Sequence, residues 1–210
     1  MRRISGYVLL LAGAGVLLFA AIQYVQHQTS MKEALAEANA IISAPDQTQS
    51  GSGPNEAPEG TQFGPLMDRT EFRPELGEAI GVLYVPQLDV ELPIVEGTDD
   101  EMLERGVGHY TSTALPSDNE QILLSGHRDT VFRDFDQLSV GDRFVVKLPY
   151  GVFEYEIQST DIVDKDDTTV IRPMGTEVLV VSTCYPFRYL GNAPERFIFY
   201  AYPVDFPLHS

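Results

Sequence analysis

The spacing of apolar positions divides the chain into three unlike parts. Residues 4–25, ISGYVLLLAGAGVLLFAAIQYV, are 22 consecutive residues without a charge, and about 20 apolar residues suffice for a helix to cross a bilayer core. This stretch predicts one transmembrane helix. Its length exceeds the usual apolar region of a secretory leader, and no small-x-small cleavage site follows closely, so a retained anchor is expected. Residues 31–42, MKEALAEANAII, are rich in helix formers and predict a short stalk that continues the anchor. Residues 43–64, SAPDQTQSGSGPNEAPEGTQFG, have almost nothing to bury and read as a linker. Residues 26–64 are thus stalk and linker, and residues 65–210 are long enough to form one domain with its own core.

Within that last part the apolar pattern shortens to strand-like runs. IGVLYVP, ELPIVEG, QILLSG, RFVVKL, VFEYEIQST, EVLVVSTC and RFIFYAYPV are β-branched and aromatic, and Gly, Pro, Asp and Asn separate them. Seven or eight short strands predict an all-β barrel or sandwich. Helical material is sparse: DDEMLERGV predicts a turn or two capped by Thr98 or Asp99, and DTVFRDF a second short helix.

Charge changes the picture in two ways. Arg2 and Arg3 precede the apolar run and no Lys or Arg follows until Lys32, which predicts a cytoplasmic N-terminus and an extracytoplasmic outer domain. The part of the chain after residue 25 holds all 31 Asp and Glu against 12 of the 14 Lys and Arg, a balance that repels nucleic acid. The densest acidic stretch, DKDD at residues 164–167, has no ordered ligand spacing and reads as a solvated loop, so no metal is expected.

The chain has a single cysteine, Cys184, at the end of the strand EVLVVSTC. Strand alternation sends Val178, Val180, Ser182 and Cys184 to one face and Leu179, Val181 and Thr183 to the other. After the loop YPFRYLGNAPE the next strand opens on Arg196, so hairpin pairing predicts Cys184 and Arg196 as neighbours. QILLSG ends just before His127, and a parallel strand beside the cysteine strand would bring that imidazole to the same rim. An imidazole and a guanidinium both promote the thiolate that makes a cysteine nucleophilic. Arg can also donate hydrogen bonds to the oxyanion formed when a carbonyl is attacked, so acyl transfer is the reaction class these groups suit.

The stretches LLSGHRDTVFRDF, VSTCYPFRYLGNAPERF and IGVLYVPQLDVELPIVEGT with GVGHY resemble the sortase family, class D in particular, over residues 79–204. The resemblance implies a closed or nearly closed barrel of about eight strands, with His127, Cys184 and Arg196 as the catalytic histidine, cysteine and arginine. It implies cleavage of a secreted protein at a Leu-Pro-x-Thr-like C-terminal signal through a Cys184 thioester. Transfer then follows to an amine of a peptidoglycan precursor or a pilin, with no cofactor. The family's Thr-Leu-x-Thr-Cys run is here VVSTC, with Val180 and Val181 in the first two places and Thr183 kept as a substrate-binding candidate. By the same resemblance the loop before the cysteine strand helps form the substrate groove, with Val170, Ile171, Pro173 and Met174 as its apolar members. Two other readings stand beside this one: another cell-wall cysteine acyltransferase, for which a His-Gly-Cys type of motif is absent, and a silent assembly module on a membrane stalk.

Overall fold

The computed structural model describes residues 2–43, 67–188, 191 and 193–204. Helix α1 (Arg2–Ser43) precedes eight strands: β1 (Ala79–Val85), β2 (Val90–Glu96), β3 (Val107–His109), β4 (Gln121–Gly126), β5 (Arg143–Leu148), β6 (Gly151–Asp164), β7 (Val178–Tyr185) and β8 (Glu195–Pro203). A short helix, α2 (Asp100–Arg105), links β2 to β3. The strands close into a barrel in the order β1-β2-β3-β4-β7-β8-β6-β5, with β5 returning to β1. Two pairs are parallel, β2 with β3 and β4 with β7, and the rest are antiparallel.

Side-chain alternation explains how each run found its place. In β5, Phe144, Val146 and Leu148 are buried while Arg143, Val145 and Lys147 are partly exposed, the pattern of a strand with one wet face. Strand β7 is different because both its faces are covered. Leu179 and Val181 enter the barrel interior with Leu83, Ile94, Phe144 and Phe199. Val178 and Val180 pack outside the barrel against Leu123, Val170 and Ile198. A strand buried on two sides reads as an unbroken apolar run, which is why EVLVV shows no alternation.

Aromatic side chains fill the barrel from end to end. Phe132, Phe135, Phe144 and Phe199 form a chain of ring contacts with centroids 4.1 to 6.2 Å apart, separations at which tilted and edge-to-face pairs are favourable. Phe132 and Phe135 close the end of the barrel at which β4 finishes and β7 carries Cys184. Phe72 packs at 5.3 Å on Tyr150, which follows β5 at the opposite end.

Three expectations change. DTVFRDF is not a helix: the N–H groups of Thr130 and Phe132 fold back to the His127 carbonyl, at 3.4 and 3.1 Å. Only a 3-10 turn, Phe135–Gln137, follows. Burial of the two phenylalanines in the barrel mouth outweighs helix propensity there. Strand β3 was unmarked in the sequence, since three residues carry too little periodicity to read. Finally, the expected stalk does not stand free. Met31, Ala34, Leu35, Ala38 and Ile42 form a stripe along α1, with Ala34 and Ala38 fully buried, and Ala38 packs with Leu35 and Ile42 against Ala79 and Val82 of β1. Alanine at these positions lets the helix backbone approach the barrel wall closely.

Among the described residues, no helix is long and apolar enough to cross a membrane. The side chains of residues 2–11, 21 and 23–28, most of the apolar run at 4–25, lie outside the described set. So do residues 44–66, which include all of the expected linker at 43–64 except Ser43.

Candidate active site

The register of three strands assembles the site. Residues Gln121 to Gly126 of β4 pair in parallel with Val178 to Thr183 of β7. One step further along both strands brings His127 level with Cys184. On the other side of β7, Cys184 is the direct antiparallel partner of Arg196 in β8. Partners across an antiparallel pair share a face, and the packing identifies which one. Val180 and Val178, of the same parity along β7 as Cys184, lie on the outer wall with Leu123 and Ile198. His127 continues the parity of Leu123, and Arg196 that of Ile198. All three groups thus belong to the outer face at one rim, and each is half-buried.

Local chemistry explains why each stays there. Gly126 has no room for a side chain: an added Cβ would meet ring carbons of Phe132 at 2.5 and 2.7 Å. That close approach lets the Phe132 ring seal the barrel directly beneath His127. Arg196 donates from Nη1 to the Glu195 carbonyl at 3.2 Å, which orients the guanidinium plane. Arg188, the other arginine near the thiol in sequence, has a 92% exposed side chain and sits 3.6 Å from Asp136. It has no strand to hold it.

Thr183 is placed apart from this face. It is 2% exposed, points to the interior side of β7, and donates its hydroxyl to the Gly126 carbonyl at 2.9 Å. Its side chain therefore ties β4 to β7 just below the rim and does not line the surface that carries Cys184. The loop between β6 and β7 also divides. Val170 is buried in the outer cluster with Val178 and Val180, whereas Ile171 and Pro173 are exposed. The start of β4 fastens this loop. Gln121 donates from Nε2 to the Val170 carbonyl at 2.8 Å and accepts from the Arg172 N–H at 3.2 Å. Glu120 accepts from the N–H groups of Met174 and Gly175, and the hydrogen bonds from Met174 and then Gln121 hold its carboxyl below the ordinary carboxylate range.

Arg128 was not singled out in the sequence, where it reads as one more charge after His127. It is 5% exposed, and its two amino groups donate to the carbonyls of Pro186 at 3.0 Å and Gly191 at 2.9 Å. It thereby clamps the β7–β8 loop that joins Cys184 to Arg196. Arg128→Lys keeps the charge but loses the fork that reaches two carbonyls. We expect a loss of about 1–3 kcal/mol in denaturant unfolding and faster protease cleavage within residues 186–191. An unchanged midpoint and digestion pattern would show that the clamp contributes nothing.

His109 lies at the far end of the barrel. Its Nδ1 is 2.7 Å from Glu96 and its Nε2 is 2.9 Å from the Ala114 carbonyl. A carbonyl only accepts, so Nε2 carries a proton and the ring braces the β3–β4 turn. The acidic residues at 164–167 are occupied in their own turns: Asp164 accepts from the Asp166 N–H and Asp167 from Thr169. Among the described residues no group of three or more His, Cys, Asp or Glu converges as a metal site would require.

A family model described as a sortase domain matches residues 83–204. Sortase D of Bacillus subtilis (strain 168) is 41% identical over 201 residues, covering 95% of this chain and 98% of that protein. Among solved structures, a Clostridium perfringens Sortase D5 transpeptidase superposes with a TM-score of 0.58 at 27% identity, over 65% of this chain and 86% of its own. Sortase C1 from Streptococcus agalactiae gives 0.55 at 27% identity, over 61% of this chain and 68% of its own.

Proposed function

The chain belongs to the sortase family as a class D cysteine transpeptidase, and on that premise we propose that Cys184, His127 and Arg196 carry its chemistry. The Cys184 thiolate attacks the threonine carbonyl of a Leu-Pro-x-Thr-like signal. Arg196 hydrogen-bonds the oxyanion or the adjacent substrate carbonyls. Collapse of the tetrahedral species breaks the peptide bond, and His127 protonates the departing amine, leaving a thioester on Cys184. An amine of the cell envelope or of a pilin then attacks the thioester. His127 takes the amine's proton and the thiolate leaves, regenerating the enzyme with the acyl group transferred.

The observation that supports this reading most is the register that sets Cys184 opposite Arg196 while the parallel β4 ends just before His127. Residues 4–25 serve as a membrane anchor in this reading, with the barrel outside. Mass spectrometry of the barrel incubated with Leu-Pro-x-Thr peptides and diamines tests the chemistry. A mass increase equal to the acyl fragment, located on Cys184 and discharged by the amine, is the expected result. Peptides recovered intact across the panel would overturn it.

The exposed apolar residues of the β6–β7 loop are the ones we assign to the Leu-Pro pair. Ile171→Asp should raise the KM of the signal peptide more than it disturbs the fold, because Ile171 is 39% exposed and little burial is lost. An unchanged KM with a normal melting curve would remove the loop from the binding site.

A further inference from the structure

Helix α1 is one uninterrupted helix from Arg2 to Ser43, and its docked half runs along the barrel in a defined direction. Ala38 packs on Ala79 and Val82, in the first half of β1. Glu37 pairs at 3.1 Å with Arg105 at the end of α2. Met31, two turns earlier in the helix, reaches the other end of β1. There it borders a cleft of about 410 Å³ with Leu88, Val90, Thr130, Val131 and Phe135. Residues 130–135 belong to the segment that leaves His127 and caps the barrel mouth. Going back toward its N-terminus, the helix therefore climbs the wall from the end remote from Cys184, passes the rim, and continues beyond it.

We propose that α1 is a docked strut that turns the catalytic rim toward the membrane and holds it there at a fixed height, so that the enzyme acts on polypeptides still tethered in the bilayer. The inference rests on residues 4–25 being the anchor. Met31 lies six positions after Val25, a rise of about 9 Å at 1.5 Å per residue. The rim then lies close above the lipid headgroups, and the far end stands about 20 Å higher, the length of a six-residue strand. A signal peptide emerging from the membrane meets the outer face of β4, β7 and β8 within a few residues of the surface. A free-swinging stalk would instead present the rim in every orientation.

Energy transfer in proteoliposomes tests the geometry without relying on activity. The chain has one cysteine, so full-length Cys184→Ser accepts a single dye at Arg188→Cys beside the rim or at Ser112→Cys in the β3–β4 connection at the far end. With acceptor lipids in the bilayer, the rim dye should transfer much more efficiently than the far-end dye. A seven-residue helical insertion between residues 29 and 30 adds about 10 Å and close to two full turns, and should weaken transfer from the rim. Equal or reversed efficiencies overturn the proposal. In the unlabelled enzyme, the same insertion should slow cleavage of a signal on a membrane-spanning tail at least ~10-fold while a soluble peptide is cleaved as before. Equal slowing of both overturns the strut. A protein that fails to enter liposomes overturns the anchor and the strut together. A wild type that cleaves neither substrate overturns the catalytic assignment alone, with the transfer measurement still deciding orientation.

Discussion

Replacing Cys184 with alanine should abolish both signal cleavage and transfer to an amine, because no second thiol exists in the chain to form the acyl-enzyme. The half-buried Cys184 pairs directly with Arg196, and alanine fits that position without disturbing the ladder. The loss should therefore appear with an unchanged melting curve and with no thioester in the mass spectrum. His127→Ala should come close to the same result, a fall in kcat of about 10²–10⁴, since the leaving amine loses its proton donor. Substantial cleavage by the alanine variant at Cys184 would mean that the nucleophile lies elsewhere.

Arg196→Lys separates two accounts of the arginine. Lysine keeps the charge but not the planar fork, which gives two directed hydrogen bonds. If the guanidinium only lowers the thiol's pKa through its charge, lysine restores most of the activity. If it holds the oxyanion or substrate carbonyls by geometry, kcat/KM falls at least ~100-fold, the scale of losing one oxyanion donor. The structure favours geometry. Arg196 stands on a strand in register with Cys184, its plane set by the Glu195 carbonyl. No carboxylate pairs with it among the described residues, so the fork is not committed to a structural ion pair. A lysine variant within a few-fold of wild type would refute this.

Helix α1 and Arg128 each lie beside the segments that carry the candidate groups. Arg128 holds the loop between thiol and guanidinium, and α1 reaches the segment that follows the imidazole through Met31.

The sequence by itself determined the class of fold and singled out the candidate reactive groups, because both are written over short distances along the chain. Two-residue alternation and turn residues mark most of the strands, and the only thiol, an arginine at the start of the next strand and a histidine just past the end of another lie near strand ends where geometry can be read locally. What it could not state is how distant segments meet. That β4 is the parallel neighbour of β7, 57 positions away in the Thr183 to Gly126 bond, depends on how the whole barrel closes. The same closure turns Thr183 inward, buries Val170 while leaving Ile171 out, and makes a clamp of Arg128. The docking of α1 was decided at this level too. Its apolar stripe only says that something must cover it, and the wall of β1 that does so exists only once the barrel has formed.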